Sequence, residues 1–241
     1  MRQLLVLLAL TVFTPLASHA QKVNPLAYYT NEDGDDQESQ SVENVQAPLY
    51  VAFRSNPEDM DDYSPSYEWH FRLQRKDEEQ RELFVRYEEN TDYTFNESGT
   101  YYVVHKTRLE QDGAELDSVT ITVVIPESKL EFPNAFSPNG DGKNDKYGAK
   151  GVNDPQSSSH WKSIVDFHAY IFNRWGQKLY EWHDPAGYWD GTYKGKDVPD
   201  GVYFVVVNAK GADGHVYNIR KDVNLLRAIN DGNSTGSSET P

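Results

Sequence analysis

Val119, Ile121, Val123 and Ile125 alternate with Thr120, Thr122 and Val124, the period-2 pattern of a half-buried strand. Residues 49–54, 67–73 and 101–107 are similarly rich in β-branched and aromatic side chains, and Glu97-Ser98-Gly99-Thr100 supplies a turn ahead of Tyr101. Residues 76–86 read as a charged loop running into a strand at 83–87, where the segment's apolar cluster falls. Further along, strands are predicted over 130–135, 165–173, 177–182, 202–210 and 215–226. Asn173-Arg174-Trp175-Gly176, Pro199-Asp200-Gly201 and Gly211-Ala212-Asp213-Gly214 form the tight connections, with glycine accepting the positive φ that hairpin turns need. Helical periodicity is nearly absent. The fold class is all-β, with two tandem β-sandwich domains.

The ends of the chain read differently. Arg2, an apolar run over 4–13 and Ala17-Ser18-His19-Ala20 make residues 1–20 a signal peptide, too short in its apolar part to span a bilayer. No membrane span is expected in the mature chain. Residues 21–45 read as an acidic disordered linker and 229–241 as a disordered Gly/Ser/Thr tail. The sandwiches then occupy 46–128 and 129–228. Charge marks that boundary, since residues 131–227 hold twelve acidic and twelve basic side chains while the whole chain carries 38 acidic against 23 basic. The acidic excess argues against a nucleic-acid partner, whose phosphates call for Lys and Arg. With no cysteine in an exported chain, hydrophobic cores must hold the fold without disulfides.

Candidate chemistry is sparse. There is no nucleophile-elbow Gly-x-Ser-x-Gly, and seven histidines show neither His-x-His nor His-x-x-x-His spacing, so no catalytic residue is assigned and the protein is expected not to be an enzyme. Ser137, Asn139, Asp141 and Asp145 place oxygens at alternate positions around Gly142, like the front half of a calcium loop. Asn139, Asp141 and Asp145 are the candidate metal ligands, and calcium is the one cofactor entertained. Gly148 stands where the bidentate Glu belongs, so the turn reading is preferred. Trp175, Trp189, Tyr203 and Phe204 are expected in a core. Tyr28-Tyr29 and Tyr188-Trp189 are weighed as sugar-stacking platforms.

Two family resemblances rest on these motifs. Val51-Ala52-Phe53, Tyr67-Glu68-Trp69-His70-Phe71 and the run from Tyr93 through Glu97-Ser98-Gly99-Thr100 to Val104 resemble a PKD-type immunoglobulin-like module. FPNAFSPNGDGKND at 132–145, IFNRWG at 171–176 and YWDGTYKGKDVPDGVYFVVV at 188–207 together resemble the gliding-motility-associated C-terminal domain, the type B sorting module of type IX secretion cargo. This resemblance implies Sec export, the type IX machinery as partner, and delivery to the cell surface or medium. The first domain would then be a spacer or adhesive module with a surface protein or glycan as its partner. The alternative is an adhesin or carbohydrate-binding surface protein acting through that first sandwich.

Overall fold

The computed structural model describes residues 22–58, 64–109, 115–154 and 160–227. The expected signal peptide and C-terminal tail lie outside the described residues. All regular structure among the described residues is β, and no helix there is long and apolar enough to cross a membrane.

The first domain contains β1 (Lys22–Val23), β2 (Leu26–Thr30), β3 (Asp36–Ser39), β4 (Ser41–Val42), β5 (Leu49–Arg54), β6 (Pro57–Glu58), β7 (Pro65–Gln74), β8 (Arg81–Arg86), β9 (Asn90–Phe95), β10 (Gly99–Leu109) and β11 (Glu115–Ile125). One sheet runs β3-β2-β5-β9 and the other β4-β11-β10-β7-β8, with β4 parallel to β11. The order β2-β5-β9 facing β11-β10-β7 matches the A-B-E and G-F-C strands of an immunoglobulin-type sandwich. Inward-facing residues alternate along every long strand, and Phe53, Trp69, Phe71, Phe95, Tyr101, Val103 and Ile121 form the dry interior.

The structure corrects the expected linker. Residues 22–42 form β1 to β4, and Val23, Ala27, Val42 and Val45 are buried. The acidic residues that suggested disorder lie largely on solvent-facing positions, as in β3, where Asp36, Gln37 and Glu38 are all exposed. Charge along an edge strand blunts unwanted pairing while a few apolar side chains anchor the segment.

Two polar details lock this interior. The Trp69 indole N–H donates to the Glu88 carbonyl at 3.0 Å, so the ring is buried without stranding its donor. The Tyr101 hydroxyl, near the start of β10, donates back to the Glu97 carbonyl at 2.9 Å, the tyrosine corner of this fold. His105 is different. It is fully buried against the Trp69 ring, 4.2 Å between centroids, and neither of its nitrogens has a partner. Burial pushes its pKa down to about 4, with Asp117 pulling weakly the other way.

The second domain comprises β12 (Ala135–Phe136), β13 (Tyr147–Gly148), β14 (Ile164–Phe172), β15 (Lys178–Trp182), β16 (Tyr188–Trp189), β17 (Thr192–Tyr193), β18 (Lys196–Asp197), β19 (Gly201–Gly211) and β20 (Val216–Leu225). Its main sheet runs β12-β20-β19-β14-β15. The β13–β16 and β17–β18 ribbons and their loops cover one face. The strand expected over 130–135 shrinks to Ala135–Phe136, because Pro133 has no N–H to give a ladder; Leu130 and Phe132 are nonetheless buried. Phe136, Tyr147, Trp182, Trp189 and Tyr203 gather in the core. Here too a tyrosine corner closes the fold, Tyr203 donating to the Pro199 carbonyl at 2.7 Å.

The two domains meet directly. Ser98 N–H donates to the Ala212 carbonyl at 3.0 Å, Ser163 N–H to the Gln46 side chain at 3.2 Å, and Ala47 N–H to the Ser163 hydroxyl at 3.3 Å. Ala212 is buried in the first domain's core, with Val165 packed beside it. At Gly211 a Cβ would come within 2.0 Å of the Ser128 hydroxyl, which itself donates to Asp213 at 2.7 Å, so only glycine fits.

Tyr101→Phe and Tyr203→Phe should each lower unfolding free energy by about 1 kcal/mol, the net value of one buried hydrogen bond. Unchanged urea midpoints would show that the corner hydroxyls contribute nothing. His105 adds a pH dependence. Its unfolded form takes a proton near pH 6.5, whereas the folded form resists until about 4, so the unfolded state binds more protons across that window. The neutral histidine's contribution is therefore complete at pH 7 and is lost as pH falls from 6.5 towards 4, by about 3 kcal/mol in total. His105→Leu should flatten this slope in pH-resolved chemical denaturation, and an equal slope in the variant would refute the assignment.

Candidate functional site

The signature turns of the second domain lie in three different environments. In the Tyr188–Trp189 turn, Trp189 is fully buried, packs on Phe136 and Tyr203 at 5.3 and 5.2 Å, and donates its indole N–H to the Thr192 carbonyl at 2.8 Å. Asp190 accepts from both the N–H and the hydroxyl of Thr192, at 3.0 and 2.8 Å. Gly191, at φ +80°, sits where a Cβ would press to 2.9 Å on both Pro138 and Arg227. Arg227 donates to the Gly191 carbonyl at 2.8 Å and takes the Asp200 carboxylate through its own backbone N–H at 3.0 Å. Of the pair weighed as a sugar-stacking platform, Trp189 is thus a core ring and Tyr188 is exposed.

The loop after Phe136 caps itself. Asp145 accepts backbone N–H groups from Gly140 and Gly142, both at 2.8 Å, and from Asn139 at 3.0 Å. Those donors, Gly140's foremost, hold its carboxyl below the ordinary aspartate value. Asn139 and Asp141 bond to each other, Nδ2 to Oδ2 at 3.1 Å, and Asp141 also takes the Lys143 N–H at 2.8 Å. The three candidate calcium ligands are therefore brought together, but both Asp145 oxygens face N–H donors, an arrangement that suits a turn better than a cation.

The third turn faces outward. Asn173 organises the β14–β15 hairpin by accepting the Trp175 and Gln177 N–H groups on its side-chain oxygen, each at 3.0 Å, and Gly176 takes φ +79°. Trp175 is 79% exposed and Phe204 44% exposed, contrary to the expected core placement. Trp175, at the hairpin tip, projects past the end of the sheet, and Phe204 lies on the outward face of β19, between buried Tyr203 and Val205. The Arg174 guanidinium lies over the Trp175 ring at 5.0 Å. Together with Pro199, Asp200, Gly201, Val202 and Tyr203 they border a hollow of about 260 Å³ at this end of the domain. Val202, 48% exposed, extends the apolar rim.

Other expected features also moved. Tyr28 and Tyr29 stand in β2 rather than in a disordered arm, and Tyr28 shares the solvent face of its sheet with exposed Tyr50, bordering a concavity of about 550 Å³. The histidines that look scattered in sequence are not all apart. The β14–β15 register sets Ala169 opposite Trp182 and Tyr170 opposite Glu181, which brings the His168 and His183 rings to 3.9 Å. Period-2 spacing of Glu181 and His183, folded back across the Asn173 turn, was the available sequence signal.

Residues 130–220 match the family model of the CHU_C type IX secretion signal domain. No curated protein matches the chain. Among solved structures, the crystal structure of a tetra-tandem repeat in the extending region of a large adhesion protein is 10% identical, over 86% of this chain and 67% of that one. Its TM-score is 0.26, too slight a likeness to inform fold or function. The matched segment coincides with the second core and carries all three signature turns, so it is the C-terminal sandwich of this chain that is similar to the CHU_C type IX secretion signal domain.

Proposed function

We propose that the protein is a non-enzymatic type IX cargo. The C-terminal sandwich is read by the secretion machinery after Sec export, and the first sandwich, a PKD-like module, is what reaches the cell surface or medium. The family match over 130–220 carries this reading. The exposed end around Arg174, Trp175 and Val202 supports a place for the machinery to bind, because aromatic and arginine side chains left in water are the usual anchors of protein interfaces. Trp175→Ala should leave the fold intact yet strand the protein in the periplasm. Trp189→Ala removes a core ring and should cost about 3–5 kcal/mol of stability. Cell fractionation with surface proteolysis, paired with thermal melts, separates recognition from folding. Surface delivery of a chain lacking 130–227 would sink the proposal.

A second reading, adhesion to a glycan through the first sandwich, is favoured by one observation, the Tyr28 and Tyr50 pair on a solvent-facing concave sheet. Ring faces of this kind stack on sugars. Glycan-array binding that disappears in Tyr50→Ala would support it, and absence of binding in the parent protein would dismiss it.

A further inference from the structure

On the solvent face of the second domain's sheet, away from the Trp175 hollow's rim, three side chains converge. His168 projects from β14 between buried Phe167 and Ala169, Glu181 from β15 beside buried Trp182, and His183 from the residue just beyond that strand. One ligand-competent atom from each lies within 4.8 Å of the others. His168 Nε2 is 2.7 Å from Glu181 Oε1, and His183 Nε2 is 3.5 Å from the same oxygen. We propose that His168, Glu181 and His183 form a binding site for a divalent transition-metal ion of the zinc class, held by two imidazoles and one carboxylate.

The chemistry of the donor set selects the ion class. Imidazole nitrogen with carboxylate oxygen suits zinc, nickel and copper, whereas calcium and magnesium require all-oxygen shells. Two neutral histidines and one carboxylate on a zinc ion leave further positions open, and here those positions face solvent. The surroundings are arranged for this role. The Tyr170 hydroxyl is 3.0 Å from His168 Nδ1. Without metal, His168 Nε2 donates to Glu181; when an ion takes the Nε2 lone pair, the Tyr170 hydroxyl is placed to accept a hydrogen bond from Nδ1–H, as outer partners of metal-binding histidines do. Lys178 binds the other Glu181 oxygen, Oε2, which orients the carboxylate and leaves Oε1 directed at the histidines. The ammonium also opposes an incoming cation, so the site is weaker than a structural zinc centre built from four protein ligands. The sheet itself supplies rigidity: β14 pairs on both sides, and the ligand-bearing strands meet through a hairpin of fixed register.

The test uses the purified, untagged protein and zinc chloride. Calorimetric titration should show about one equivalent bound. His183→Gln and Glu181→Gln should each weaken binding by about tenfold or more, since each removes a ligand, and His215→Gln, which alters an exposed histidine elsewhere, should leave it unchanged. In the parent protein, imidazole proton resonances of His168 and His183 should shift or broaden on adding zinc, while those of His70 and His215 stay fixed. That measurement does not depend on any variant folding. No binding, equal binding in His183→Gln, or zinc-induced shifts confined to other histidines would overturn the proposal.

Discussion

Each sandwich holds a fully buried indole whose single N–H is returned to a backbone carbonyl. Trp69 and Trp189 are both fully buried, and their donors reach Glu88 and Thr192. In a chain without cysteine this is the constraint on which the rest depends. A large ring excludes water from a small core and buries a large apolar area in it. Its polar edge would cost a few kcal/mol if left unpaired. The loop that supplies the carbonyl is thereby fixed in place, and the surrounding rings, Phe53 and His105 in one domain, Phe136 and Tyr203 in the other, pack to that reference. The tyrosine corners close the opposite side of the same problem, tying the start of a central strand to the loop before it.

Much of this was legible in the alternating pattern. The strands at 49–54, 67–73, 101–107 and 119–125 were visible because they are rich in β-branched and aromatic residues and because buried positions alternate along them. β1 to β4 were hidden because they are short, two to five residues each, and anchored by single side chains such as Ala27 and Val42 within acidic sequence. Trp175 was misplaced for a different reason. Composition reveals that an aromatic is present, but only the turn's geometry says whether it points into the sheet or past its end. The His168–His183 encounter depends on hairpin register, a long-range property that spacing within either strand does not express.

The signature turns of the second domain thus divide their labour. Trp189, Asp190 and Gly191 maintain the interior, and Asp145 with its three amide donors keeps the neighbouring loop closed. Arg174 and Trp175 contribute little to that interior and remain available to a partner. The hairpin that displays Trp175 is an extension of the packed sheet, so this exposed end takes shape only once the core has formed.

The joint between the domains has a mechanical meaning. Ala212 is buried among the first domain's side chains, Ser98 N–H donates to the Ala212 carbonyl and Ser163 N–H to the Gln46 side chain across the boundary, and Gly211 leaves no room for even a methyl group. Load applied along the chain would pass through this packed seam instead of being taken up by a slack tether. The molecule therefore behaves as a short two-segment strut, and whatever holds its C-terminal end also sets the direction in which the N-terminal sandwich points.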